Sequence, residues 1–233
     1  MALIEISNLT KIYNTTSVPV YAVQNVDMQI EKNEFTAIVG PSGSGKTTLL
    51  NLIGGLDDYT EGKIVIDGVD LSTLKANQLV DFRLQKIGFV FQAYNLIPVF
   101  SAKENVEFIM LLQGISKEER EQRAIELLKD VGLESKIEVR PSQLSGGEQQ
   151  RVAVARALAS KPSFVLADEP TANLDSASAE SLLDLMEDLN IKNGMTFIFS
   201  THDPRVMKRA RRIVTLVDGR IDKIEDGKVF NGD

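Results

Sequence analysis

The sequence predicts an α/β protein with a mostly parallel core sheet, and two observations carry that prediction. Short, near-continuous apolar runs recur at FTAIV (35–39), IGFVF (87–91), FVLA (164–167), MTFIFS (195–200) and IVTLV (213–217), with helical stretches between them. Runs of that kind are strands covered on both faces. A glycine-rich loop, moreover, follows FTAIV directly and opens a helix, the strand–loop–helix unit of phosphate-binding sheets.

Residues 3–7 and 21–30 read as the first two strands. In the second, Val26, Met28 and Ile30 alternate with Asp27 and Gln29, the period of a half-buried strand. KTTLLNLI continues the glycine loop as a helix that stops at Gly54-Gly55. Ser116 and Glu119 fit a capping box, and Ala124, Leu127, Leu128 and Val131 then line one apolar stripe. Between Gln92 and about Arg140 no strand signal occurs, so an all-helical insert is expected there. After IVTLVDG only a short acidic-basic tail is expected.

The bulk numbers exclude several classes. With 43% apolar and 25% charged residues, the chain has the balance of an ordinary soluble domain. Acidic residues outnumber basic ones, 33 to 26, which argues against a surface built to coat nucleic acid. No cysteine is present and His202 is the single histidine, so thiolate and multi-histidine metal sites are excluded. No apolar run approaches the ~20 residues of a membrane span, and MALIEISNLTK is too short and acidic for a signal peptide. A cytoplasmic location is expected.

Gly40-Pro41-Ser42-Gly43-Ser44-Gly45-Lys46-Thr47 fits the P-loop pattern G-x-x-x-x-G-K-[ST]. Its glycines let backbone N–H groups wrap phosphates, the helix N-terminus adds favourable potential, Lys46 reaches the β- and γ-phosphates, and Thr47 suits Mg²⁺. FVLA runs into Asp168 and Glu169, two acids at the carboxyl end of a strand, where open sheets hold ligands. Asp168 suits the metal and Glu169 the attacking water. Gln92 ends IGFVF and His202 closely follows MTFIFS, so both are placed at the same end of the sheet. Gln92 offers a carbonyl to Mg²⁺ or water, and His202 a contact to a γ-phosphate.

LSGGE, Leu144 to Glu148, is a second anion-ready helix start. Ser145 and Glu148 make a capping box, but Gly146-Gly147 is costly early in a helix unless a backbone must approach something closely. A second copy supplying this segment across a two-fold axis would complete the open face of a bound nucleotide.

The ordered set GPSGSGKT, FQ at 91–92, LSGGE at 144–148, FVLADEP at 164–170, NLD at 173–175 and TH at 201–202 resembles the ATP-binding subunit of ABC transporters over essentially the whole chain. FVFQAYNLIPVFSAKENV and LADEPTANLD are similar to the group serving lipoprotein-releasing, macrolide-exporting and cell-division permeases. The resemblance implies a P-loop NTPase fold of the ABC ATPase type with an antiparallel β subdomain. It implies one domain, 1–233, with a helical subdomain at about 93–155. ATP would be held by Tyr13 (the aromatic against adenine), Gly40, Pro41, Ser42, Gly43, Ser44, Gly45, Lys46, Thr47 and Thr48. Mg²⁺ would sit at Thr47, Gln92 and Asp168, with Glu169 and His202 catalytic. Leu144, Ser145, Gly146, Gly147 and Glu148 would cap the partner's ATP, Asp175 would communicate across the dimer, and Tyr94 to Glu107 would face the permease.

The implied output is transport powered through a separate integral membrane permease, with the chain peripheral on the inner face of the membrane. The alternatives are a permease that gates an extracytoplasmic hydrolase, or a soluble non-transport ATPase; no nucleic-acid partner is expected. Glu148 stands where the family often has Gln, and Ala172 where Gly is common. Lys208, Arg209, Arg211 and Arg212 read as a solvated helix face.

Overall fold

The computed structural model describes residues 2–14 and 18–227. A four-stranded antiparallel sheet comprises β1 (Ile4–Tyr13), β2 (Val20–Ile30), β4 (Glu61–Ile66) and β5 (Val69–Asp70), in the order β2-β1-β4-β5. A six-stranded sheet is ordered β10-β9-β3-β8-β7-β6. Its strands are β3 (Phe35–Val39), β6 (Ile87–Val90), β7 (Phe164–Asp168), β8 (Thr196–Ser200), β9 (Arg212–Val217) and β10 (Arg220–Asp226). All pairings in it are parallel except β9 with β10. The helices are α1 (Lys46–Ile53), α2 (Ala76–Lys86), α3 (Ala102–Leu112), α4 (Lys117–Asp130), α5 (Gly146–Ala159), α6 (Ser176–Asn193) and α7 (Pro204–Arg209).

The continuous apolar runs arise because the parallel strands separate two cores. Phe35, Ala37 and Val39 of β3, Val165 and Ala167 of β7, and Phe197 and Phe199 of β8 pack on the side of α3 to α6. Their alternates, Ile38, Phe164, Leu166 and Ile198, pack with α1 and the antiparallel sheet. Side chains alternate faces along a strand, so a sheet buried on both sides needs apolar residues at every position. Phe35 and Phe199 meet with ring centroids 4.6 Å apart, an aromatic contact that adds to simple area burial. Ala124, Leu127, Leu128 and Val131 join the first core, as their helical spacing requires.

β4, β5 and β10 escape the sequence reading, and β1 is longer than the residues 3–7 read for it. β1 extends well past residue 7 because register shifts at Ile6/Leu9 and Leu9/Lys11 break the alternation that would reveal it. EGKIVI is β4, its Ile64 and Ile66 fully buried and Val65 between them only partly so. The supposed tail is β10, paired antiparallel with β9. Its mix of Lys, Asp and Glu suits an edge strand and hides it from an apolar-run search. The basic cluster is corrected in part: Lys208 is exposed, as expected, but the three arginines are engaged. Arg209 reaches Glu180, Asp184 and Glu187 of α6, Arg211 donates to Asn190 Oδ1, and Arg212 pairs with Glu34.

Asn190 is the buried polar joint between the end of α6 and the strands. Its Nδ2 donates to the carbonyls of Asn33 at 2.9 Å and Met195 at 2.7 Å, and its Oδ1 accepts from Arg211. Asn190→Leu keeps the volume and strands these partners, so it is expected to cost about 2–4 kcal/mol. Urea unfolding checks this: the midpoint should fall with the slope preserved.

Candidate functional site

The carboxyl ends of the parallel strands β3, β6, β7 and β8 share one edge of the sheet, where residues 40–47 follow β3. That loop is wedged between backbones. A Cβ on Gly40 would lie 2.0 Å from the Leu216 carbonyl oxygen of β9, and one on Gly45 2.1 Å from that of Ala22 in β2. Gly45 also adopts φ 99° as the residue before α1, which has no side-chain cap. Its first-turn N–H groups are therefore available to an anion. Inside the loop the Ser44 hydroxyl is buried without a hydrogen-bond partner, and Lys46 Nζ donates to the Gly40 and Pro41 carbonyls, each at 2.9 Å. An ammonium spanning its own loop is placed for phosphates that enter it.

Thr47 Oγ1 donates to Asp168 Oδ1 at 3.0 Å. A hydroxyl and a carboxylate so close suit Mg²⁺, which takes one or two protein oxygens and completes its shell with phosphates and water. Gln92 lies two residues beyond the end of β6 rather than ending the strand. Its side chain is exposed, and its carbonyl accepts from Asn173 Nδ2 at 3.0 Å.

Glu169 has φ 46°, a left-handed conformation costly for a side-chain-bearing residue, held by its N–H on the Ser200 carbonyl at 2.8 Å. The bend turns its carboxylate to the loop after β8. There His202 Nδ1 donates to Oε1 at 2.7 Å and Thr201 Oγ1 to Oε2 at 3.3 Å. Thus the structure brings Glu169 and His202 together, and Thr47 with Asp168.

Ser145 and Glu148 form the expected capping box: Ser145 N–H donates to Glu148 Oε2 at 2.8 Å, and Glu148 N–H to Ser145 Oγ at 3.3 Å. The backbone hydrogen bond, ahead of Lys136, holds the Glu148 carboxyl below its usual range. The two glycines have near neighbours within the chain itself. A Cβ on Gly146 would lie 2.7 Å from Tyr94 Oη, and one on Gly147 3.0 Å from Ser178 Oγ. Asp175 caps α6, accepting from Ser178 N–H at 3.0 Å and Ser178 Oγ at 2.6 Å. Tyr13 closes β1, its hydroxyl donating to Asp57 Oδ2 at 2.6 Å.

Sequence reasoning missed Asp203, Thr171 and Arg205. Asp203 caps α7, a position that Asp before Pro signals. It accepts from Thr171 Oγ1 at 2.7 Å and pairs with Arg205 Nη2 at 2.7 Å, tying the segment after β7 to the segment after β8.

A nucleotide-phosphate loop, a carboxylate–hydroxyl pair for a metal and a Glu–His pair at the same sheet end define a P-loop nucleoside triphosphatase. The comparisons narrow the class. The profile described as ABC transporter matches residues 23–172. The chain is 45% identical to the uncharacterized ABC transporter ATP-binding protein MJ0796 of Methanocaldococcus jannaschii, covering 98% of this chain and 99% of that protein. It is 46% identical to the macrolide export ATP-binding/permease protein MacB of Mannheimia succiniciproducens, over 95% of this chain but 34% of that protein. A solved dimeric, post-hydrolysis structure of the MJ0796 cassette bound to ADP and Pi superposes with a TM-score of 0.89 at 44% identity, covering 97% of this chain and 100% of that one. The chain belongs to the ABC transporter family, as an ATPase subunit. Among the described residues no helix is long and apolar enough to cross a membrane.

Burial raises the pKa of Asp203, and hydrogen bonds from Arg205 and Thr171 outweigh that effect, leaving it lowered to about 2. The stability it contributes is complete above the ordinary carboxylate pKa, near 3.8, and is lost as pH falls through about 2. The melting-temperature gap between the natural chain and Asp203→Asn is therefore expected to be widest near neutrality and to close below about pH 4. A gap independent of pH would place its origin outside this charge.

Proposed function

We propose that the chain binds Mg²⁺-ATP at the loop between β3 and α1 and hydrolyses it as a dimer of two copies. That cycle drives a membrane permease of the macrolide-export or lipoprotein-release type. One observation carries the dimer: the site is split. The concavity at Ser145, Gly147 and Glu148, about 390 Å³, is lined also by Arg151 and Ser178 and by none of residues 40–48, 168, 169 or 202. A nucleotide in the loop therefore needs another copy's Leu144 to Glu148 to close its far side. The dimeric structure of the MJ0796 cassette supports an assembly of two copies.

In this reading Gly40 to Thr48 bind the phosphates, Lys46 exchanging its loop carbonyls for phosphate oxygens, while Tyr13 meets the base. Thr47, Asp168 and the Gln92 side chain would hold Mg²⁺, which neutralises charge on the β- and γ-oxygens when bound. Glu169 accepts a proton from water as the water oxygen attacks the γ-phosphorus and the bond to ADP breaks. Thr201 and His202 fix the Glu169 carboxylate. For His202 also to donate to the γ-phosphate through Nε2, both ring nitrogens must carry protons. Asp175, as the cap of α6, keeps the segment after Glu169 at the dimer face.

The permease reading draws support from an apolar groove of about 450 Å³ between α2, β6, α3 and α5, lined by Leu84, Phe89, Phe91, Phe108 and Ile109. Arg156 forms its floor, donating to the Tyr94 carbonyl at 3.0 Å and to that of Asn95. The Tyr94–Glu107 segment is thereby held at the groove's edge, ready for a cytoplasmic helix. The MacB relative, with ATP-binding and permease parts in its name, supports the transport type.

Glu169→Gln is expected to lower ATPase turnover by about 10²–10⁴-fold and to accumulate an ATP-dependent dimer, read by size exclusion with light scattering. Normal turnover would remove Glu169 as the base. Gly146→Asp is expected to leave nucleotide binding by the monomer intact and abolish turnover, whereas Lys46→Ala weakens binding itself. Full activity in Gly146→Asp would end the two-copy site. Co-purification of Glu169→Gln with a permease from native membranes tests the output, and recovery of soluble partners alone, from complexes stable in the detergent, would overturn it.

A further inference from the structure

At the end of β1, three side chains outside the phosphate loop form a closed cluster. Lys11 Nζ donates to Asp57 Oδ1 at 2.7 Å. The other carboxylate oxygen accepts from the Tyr13 hydroxyl at 2.6 Å. The Lys11 ammonium also stands 4.7 Å from the centre of the Tyr13 ring, within the range of a cation–π contact. Lys11 and Tyr13 are two residues apart in β1 and their contact puts them on one face, while Asp57 arrives from the loop after α1. Thr48, in the first turn of α1, lies close enough to the phenol to influence its ionisation, which places the ring beside the phosphate-binding helix.

We propose that Lys11 and Asp57 are positioning residues that fix Tyr13 as a one-faced platform for the nucleobase. The proposal rests on the assignment of Tyr13 to the base made above. Stacking on a ring that turns freely must pay for ordering it at the moment of binding. Here the ring is ordered beforehand: its edge is held by Asp57 and one face is covered by Lys11, leaving the opposite face to a base. The same geometry does not offer Lys11 to a phosphate, because its charge is already matched by Asp57 and its ammonium also donates to the Asp58 carbonyl. Burial would raise the Asp57 pKa, but the hydrogen bonds from Lys11 and Tyr13 outweigh it and hold the carboxyl below its usual range, so Asp57 stays a carboxylate at neutral pH. The base-dependent share of nucleotide affinity thus depends on two side chains that need not touch the nucleotide.

Displacement titrations on the full chain with ADP and with inorganic pyrophosphate, which lacks the base, separate the possibilities. Lys11→Met and Asp57→Asn are each expected to weaken ADP about three- to tenfold, within the size of one base–aromatic stack, and to leave pyrophosphate unchanged. Lys11→Arg, which restores both the ion pair and the cation over the ring, should recover ADP affinity. Tyr13→Phe keeps the ring and loses only the bond to Asp57, so it should show a smaller loss confined to ADP. Equal weakening of both ligands in Lys11→Met would mean that Lys11 acts on the phosphates or the fold, and the proposal fails. ADP affinity unchanged in Lys11→Met and Asp57→Asn, with Tyr13→Ala still losing ADP alone, overturns the positioning role and leaves the platform standing. If Tyr13→Ala loses nothing specific to ADP, the platform assignment itself falls.

Discussion

The site depends on one packing constraint: the phosphate loop is pressed between the backbones of two different sheets. Gly40 abuts the Leu216 carbonyl of β9 and Gly45 that of Ala22 in β2. Gly219 N–H donates to the Ser44 carbonyl at 3.0 Å, and Gln24 N–H to the Gly219 carbonyl at 2.7 Å. The loop's shape is therefore imposed from outside as well as by its own glycines. A preformed cradle binds an anion without the cost of ordering it, which is why Lys46 already lies along the loop. The same wedge joins the antiparallel and parallel sheets, so the residues proposed to position the nucleotide also hold the two sheets together.

A second set of contacts organises the hydrolytic side. Glu169 stands in a left-handed backbone conformation, Asp175 begins α6 and Asp203 begins α7. Thr171 and Arg205 link the two segments through Asp203. The proposed base, its histidine and the segment that would face a second copy thus form one hydrogen-bonded unit across the ends of β7 and β8. Arg209, ringed by Glu180, Asp184 and Glu187, extends the tie along α6.

Whatever chemistry is encoded in contiguous residues was legible beforehand. Gly40 to Thr47 specify a loop by local backbone demands, Ser145 and Glu148 specify a cap, and the five apolar runs specify strands because both sheet faces are buried. What was hidden is non-local or masked by polarity. β10 is stabilised by pairing with β9 and offers alternating charges instead of an apolar run. Arg209 and Arg211 look solvated until α6 supplies Glu180, Asp184 and Asn190. The proximity of Gly146 to Tyr94 joins residues 52 positions apart, so the glycine pair read as a demand made by a partner alone. Lys11 and Asp57 are 46 positions apart and carry no motif, so only the fold could bring them to Tyr13.

The order of strands in the larger sheet has a consequence for how the protein is made. β3, residues 35–39, is central, yet its neighbours are β8 and β9, residues 196–200 and 212–217. As the chain leaves the ribosome, both edges of β3 stay unpaired until some 160 further residues have emerged (196 minus 35). Such distant pairings are slow to form. The wall that Leu216 gives the phosphate loop arrives later still, so a nascent chain carries the complete motif long before it has the pocket. An early nascent chain thus offers nucleotide no complete pocket to fold around, and the apolar β3 lacks its sheet partners until β8 and β9 have emerged.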